Sequence, residues 1–228
     1  MRAWVAEIVA AVVAADCGRA GEDDVAAVAD APRPTFMFVS GMDVWQNGGF
    51  AHSAAVWSPY GLDQAGLTIK LLAGMGTYRY LAGGPGGVEV TGRQYMGALM
   101  PGWRFKYERL EVTVFAGLDW QDHLLTPDDP DSSVRGTRYG TRVGADVWYE
   151  PWPSTMLASN TSISSIGPSY WTRAAAGLRV LDRIRLGPEA LAMGDPNYQQ
   201  YRVGAHATGL KTKWFEWSMG AGWVTDSD

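Results

Sequence analysis

From Phe36 to the end of the chain, apolar residues recur at every second position, the period of a strand whose two faces meet different surroundings. Leu67, Ile69, Leu71, Ala73 and Met75 alternate with Thr68, Lys70, Leu72 and Gly74. Val112, Val114, Ala116 and Leu118 stand against Glu111, Thr113 and Asp119. The same rhythm runs through Val143 to Glu150, Tyr170 to Arg179, Ile184 to Glu189, Tyr201 to Ala207 and Phe215 to Ala221. Turn chemistry punctuates it at Gln46-Asn47-Gly48-Gly49, Ser58-Pro59-Tyr60-Gly61, Gly83 to Gly87, Pro127 to Pro130, Pro151-Trp152-Pro153, Gly167-Pro168, Gly194 to Asn197 and Thr208-Gly209. About eleven strands result, and no helix is required in this region. At Pro101-Gly102 the apolar parity passes from Met96, Ala98 and Met100 to Trp103, Phe105 and Tyr107, which predicts a bulge inside one strand.

Which parity faces inward decides the class. A soluble barrel points its apolar set to a core, whereas a membrane barrel points it to lipid and lines its lumen with the polar set. Three features favour the membrane arrangement. Aromatic residues gather near segment ends, among them Trp45, Trp57, Tyr78, Trp103, Tyr107, Tyr149, Tyr170, Tyr201 and Trp223, as two interfacial belts require. The polar parity mixes signs, as a lumen of mutually compensating charges would. Glycines on that parity (Gly74, Gly117, Gly144, Gly177, Gly204, Gly220) leave room for long side chains. Composition removes competitors. A net charge of −5 gives no basic footprint for nucleic acid, and one cysteine excludes a disulfide framework or a multi-cysteine metal site. After residue 20 there is no run of about 18 apolar residues to make a membrane helix. The expected fold is therefore all-β: an antiparallel up-and-down transmembrane β-barrel of about twelve strands.

Before the barrel, residues 1–20 carry Arg2, an Ala/Val-rich stretch and small residues at Ala15 and Ala20, the pattern of an export signal interrupted by Glu7. Residues 21–35, acidic and proline-containing, form a flexible lead-in to a barrel domain over 36–228. A periplasmic start places the polar stretch Gln121 to Ser133 outside the cell. The eleventh segment then ascends, and the even-number rule calls for a twelfth: either a descending strand follows Thr225-Asp226-Ser227-Asp228 or the count of eleven is wrong by one.

Catalytic, cofactor and metal sites are not expected. Asp119-Trp120-Gln121-Asp122-His123 with Asp128, Asp129 and Asp131 gathers carboxylates but lacks the spacing of a calcium loop and reads as a solvated outer loop. His52, His123 and His206 are too scattered for zinc. No Gly-x-Ser-x-Gly occurs, and Gly83 to Gly87 has no Lys-Ser/Thr partner for a phosphate. The residues expected to line the lumen or touch a glycan are Asp119, Arg142, Asp146, Trp148, Glu150, Arg173, Arg179, Glu189, Arg202, His206 and Glu216. Trp120, Trp171 and Trp214 extend this set, because aromatic faces stack on sugar rings. Such a lumen would serve equally as a polymer path or as a plug of paired charges.

A series of short runs carries a family resemblance. They are Ser40-Gly41-Met42-Asp43-Val44-Trp45, Trp57 to Asp63, Pro101-Gly102-Trp103-Arg104-Phe105, Thr113 to His123, Pro127 to Pro130 and Asp146 to Pro151. Gly187-Pro188-Glu189, Thr208-Gly209-Leu210 and Glu216-Trp217-Ser218 continue the series. In order and spacing this resembles the bacterial cellulose biosynthesis protein family BcsS, from about Val39 onward. The resemblance implies a non-enzymatic envelope protein in the outer membrane of a Gram-negative bacterium, accessory to export, anchoring or assembly of cellulose. Its partners would be outer-membrane lipid and cellulose or the synthase machinery. An outer-membrane enzyme acting on lipid or glycan, and a soluble periplasmic binding barrel, are the alternatives.

Overall fold

The computed structural model describes residues 33–83, 86–181, 184–196, 198–211 and 216–227, together with the backbone of residues 3–14. Twelve strands follow one another: β1 (Ala3–Ala14), β2 (Phe36–Trp45), β3 (Gly48–Trp57), β4 (Gly66–Ala82), β5 (Val88–Tyr107) and β6 (Leu110–Thr126). They continue with β7 (Gly136–Tyr149), β8 (Thr155–Ser164), β9 (Ser169–Leu181), β10 (Ile184–Gly194), β11 (Gln199–Lys211) and β12 (Glu216–Asp226). Each pairs antiparallel with its chain neighbours, and β1 also pairs with β12, so the sheet closes into an up-and-down barrel. Closure removes the free edges that an open sheet would leave.

The eleven strands read from the sequence are β2–β12. The twelfth place in the ring, sought beyond the last residue, is taken from the other end of the chain. Backbone of Ala3–Ala14 pairs Ala3 with Val224 through Ala11 with Glu216 on one side, and Ala6 with Val44 through Ala14 with Phe36 on the other. Residues 3–14 of the expected export signal are thus strand β1 here, while Ala15, Ala20 and most of the lead-in lie outside the described residues.

Two local readings change places. Pro101-Gly102 is not a bulge: Leu99 faces Leu118 and Gly102 faces Phe115 with no slip of register. Pro101 has no N–H to donate, yet β5 runs through it. Thr208-Gly209, read as a reversal, lies inside β11, where the register against β12 shifts between Thr208 and Leu210. Gly209, at φ +82°, takes the left-handed conformation that a bulge of this kind demands. One true reversal is invisible to turn chemistry, since β5 and β6 are joined through Glu108 (φ +50°) and Arg109.

Gly117 shows why glycine recurs on the inner parity. A Cβ there would stand 2.0 Å from the Leu99 carbonyl oxygen, a backbone atom that cannot swing aside. Gly117→Val is expected to pry β5 from β6 and lower the urea midpoint of the folded barrel, a loss of at least about 1–3 kcal/mol.

The faces are unlike. Leu71, Met75, Leu99, Val114, Leu118, Val143, Ile163, Leu178, Val203 and Met219 are exposed on the outside. Asp43, Thr113, Asp119, Gln121, Arg142, Arg202 and His206, on the opposite parity, are buried. Exposed outer aromatics fall near the two rims. Phe36, Phe38, Trp57, Trp103, Phe105, Tyr107 and Tyr149 lie toward the proximal rim, where β2 begins, and Tyr95, Trp120, Tyr139, Tyr201 and Trp223 toward the distal rim. Aliphatic side chains occupy the belt between them.

Candidate functional site: the barrel interior

The interior is built by strand alternation, which turns residues i and i+2 to one face and stacks them along the axis. On β6 this aligns Asp119, Gln121 and His123, all buried. The sequence reading of this run as a solvated loop is therefore corrected. Period two continues to Thr126, Asp119 is 2% exposed, and the carboxylate of Asp122 lies on the other face, bonded to Thr137. Among the described residues no group of histidine, cysteine and carboxylate side chains is placed to hold a metal ion.

Asp119 is the most fully enclosed of these groups. Its Oδ2 accepts from Arg142 at 3.0 Å, from Gln121 at 3.0 Å and from the Ser164 hydroxyl at 2.5 Å. A buried carboxylate needs this many donors because water no longer solvates it. Gln121 and His123 lie in contact (3.2 Å), and His123 Nδ1 lies 2.8 Å from the Tyr78 hydroxyl of β4. His206 is buried on β11, and its Nε2–H donates to the Ala176 carbonyl at 3.2 Å.

Other pairs join charges along the wall or across the ring. Lys70 of β4 meets Asp146 of β7, which also accepts from Asn160 at 3.1 Å. Arg185 of β10 meets Glu150, just past β7, with its guanidinium 5.6 Å from the Trp148 ring centroid. Arg173 of β9 pairs with Glu189 of β10. Arg202 of β11 pairs with Asp43 of β2 at 3.0 Å and lies 5.0 Å from the centroid of Trp45.

Of the residues expected inside, Asp119, Arg142, Arg202 and His206 are buried, and Asp146, Glu150, Arg173, Glu189 and Glu216 are half-buried on the inner parity. Trp148 and Arg179 share that parity but are exposed near the proximal rim. Trp120 departs from the expectation: it sits on the outer parity beside Leu118 and opposite Tyr139, so it cannot line the lumen. Trp171 shares the parity of Arg173, and Trp214 lies outside the described residues. Sequence reasoning missed Asp43, Lys70, Gln121 and Ser164. Alternation alone marks Asp43 and Lys70 as inward, whereas nothing local marks Ser164.

The interior is also less polar than alternation implies. Met96, Ala98, Met100 and Phe115 are buried there with Leu72 packed against them, and the Lys70 ammonium lies 4.1 Å from the Phe115 centroid. The apparent parity flip at Pro101 was this apolar cluster on the inner face.

Polar and charged groups sealed within, apolar side chains turned out, and twelve antiparallel strands closed on themselves define the class: an inside-out β-barrel. Within that class, the chain belongs to the cellulose biosynthesis protein BcsS family, whose model matches residues 37–228, covering β2–β12 from the second residue of β2. Membership implies involvement in cellulose biosynthesis. A search of curated proteins returns no match.

Proposed function

We propose that this chain is a non-catalytic outer-membrane barrel of a Gram-negative bacterium that serves cellulose biosynthesis by anchoring or assembling the polymer or its synthase machinery. The observation that carries the reading is the exposed outer wall, an aliphatic belt between two aromatic girdles. A water-soluble monomer rarely exposes an apolar patch above a few hundred Å², and a continuous apolar belt far exceeds that. In lipid the same belt is satisfied, and the aromatic rings take the interfacial level. The distal rim carries the connection 127–135. There Arg135 forks onto Asp128 at 2.7 Å and Tyr80 donates to Asp129 at 2.6 Å, so the loop is tied to the wall.

The non-catalytic part draws support from the serines. Ser40 lies on the outer face 3.0 Å from the Ser53 hydroxyl, and its neighbour His52 turns its ring to the inner face against Phe50. Ser164 gives its proton to Asp119 rather than to an imidazole. Nucleophilic catalysis needs hydroxyl and base within hydrogen-bond reach.

Fractionation of a cellulose-producing host should find the chain with outer-membrane lipid, and a gel run with and without boiling should show the mobility shift of a folded barrel. Recovery as a free periplasmic protein would favour the soluble alternative. Deleting the gene should alter polymer yield, fibre form or surface attachment, and an unchanged polymer would remove the assigned process.

A further inference from the structure

Resting on the membrane reading, we infer that this barrel is sealed: it conducts neither ions nor a glucan strand, and its work is done at its rims and outer wall. The reason is geometric. Lys70 and Asp146 sit on strands separated by β5 and β6, and Arg185 and Glu150 are separated by β8 and β9. Arg202 and Asp43 are separated by β12 and β1. Neighbouring strands lie about 4.8 Å apart, so side chains that meet across two intervening strands run as chords through the lumen rather than along its wall. Three such chords start from different sectors of the ring, and Tyr78 with His123 adds a shorter fourth.

Among the described residues, apolar side chains stand between the chords. Met96, Ala98, Met100, Phe115 and Leu72 form an apolar waist on the β4–β6 side. Val56, Leu191 and Val224 are buried around the rest of the interior. Among the described residues, a cavity of about 20 Å³ lies against β10–β12, lined by Glu189, Leu191, Arg202, Gly204, Gly220 and Gly222. It is smaller than the roughly 300–1,000 Å³ of ordinary ligand pockets. A glucan chain needs a continuous bore, and hydrated ions need a wetted one. A narrow ring with charges locked in pairs offers neither, in contrast to water-filled porins of about 16–18 strands.

The test uses the full chain reconstituted in planar bilayers and in vesicles, with insertion established first by the boiling-dependent mobility shift. The inserted wild type should pass potassium chloride current no greater than protein-free bilayer and should not release entrapped cellotetraose. Steady single-channel steps or cellotetraose release would overturn the inference while leaving membrane placement intact. A chain that never inserts would overturn the membrane reading and this inference with it. Removing both partners of two chords (Lys70→Ala with Asp146→Ala, Arg185→Ala with Glu150→Ala) strands no charge and should raise ion current at least tenfold over wild type. A four-site variant that keeps the mobility shift and stays silent would refute the chords as the seal. If that variant loses the shift, single-pair variants that keep it decide by the same current, a rise supporting the seal and silence refuting it.

Discussion

Replacing Arg142 with methionine is expected to cost the barrel about 3–5 kcal/mol, measured as the change in unfolding free energy by urea titration in lipid vesicles. Asp119 presents no side-chain surface to solvent, and Arg142 is the cation that meets it. Without that guanidinium, a carboxylate is left in an enclosed space with only the Ser164 hydroxyl and the Gln121 amide as donors. Its charge must then be borne with too few donors to replace the water it has lost. The paired change Arg142→Met with Asp119→Leu should recover at least half of the loss, since removing both charges also removes the desolvation penalty. If the double variant proves as unstable as the single one, packing around Arg142 rather than its charge is what the site depends on.

The second large effect separates lipid from water on the outer wall. Leu118 lies midway along β6 and is 69% exposed, with Leu99 of β5 beside it. Leu118→Arg should destabilise the reconstituted barrel by about 2–4 kcal/mol, because an arginine at bilayer mid-depth loses its hydration. Tyr107→Arg, at the proximal end of β5 and 74% exposed in wild type, should cost no more than about 1 kcal/mol, because the headgroup level hydrates the charge. The difference between the two positions is the diagnostic quantity. A water-facing wall would tolerate both substitutions within about 0.5 kcal/mol, as exposed sites generally do. Equal, small costs at both depths would argue against the outer membrane.

The architecture was legible because one period governs almost the whole chain, and burial on one parity converts that period into a closed wall. Val143, Val203 and Met219 are exposed and Arg142 is buried, as alternation implies for an inside-out cylinder. Legibility failed where the two faces carry similar residues. Met96, Ala98 and Met100 continue the inner row of β5 across Pro101 into Arg104, and an apolar inner row reads in sequence as a change of face. It failed again where backbone conformation substitutes for turn chemistry, as at Glu108, and where turn chemistry serves a bulge, as at Gly209. The partners within the lumen were out of reach for another reason. Lys70 and Asp146 lie 76 positions apart and Arg202 and Asp43 lie 159 apart, so ring curvature alone decides which charges meet.

The bond between Arg202 and Asp43 has a mechanical meaning. It spans the joint where the two ends of the sheet come together, fastening β11 to β2 over the top of β12 and β1. Asn47 adds a second clasp there by donating to Asp226 at 3.1 Å. Such rivets keep the staves on either side of the joint in place while the strands between them breathe, so local opening at the seam need not uncoil the hoop.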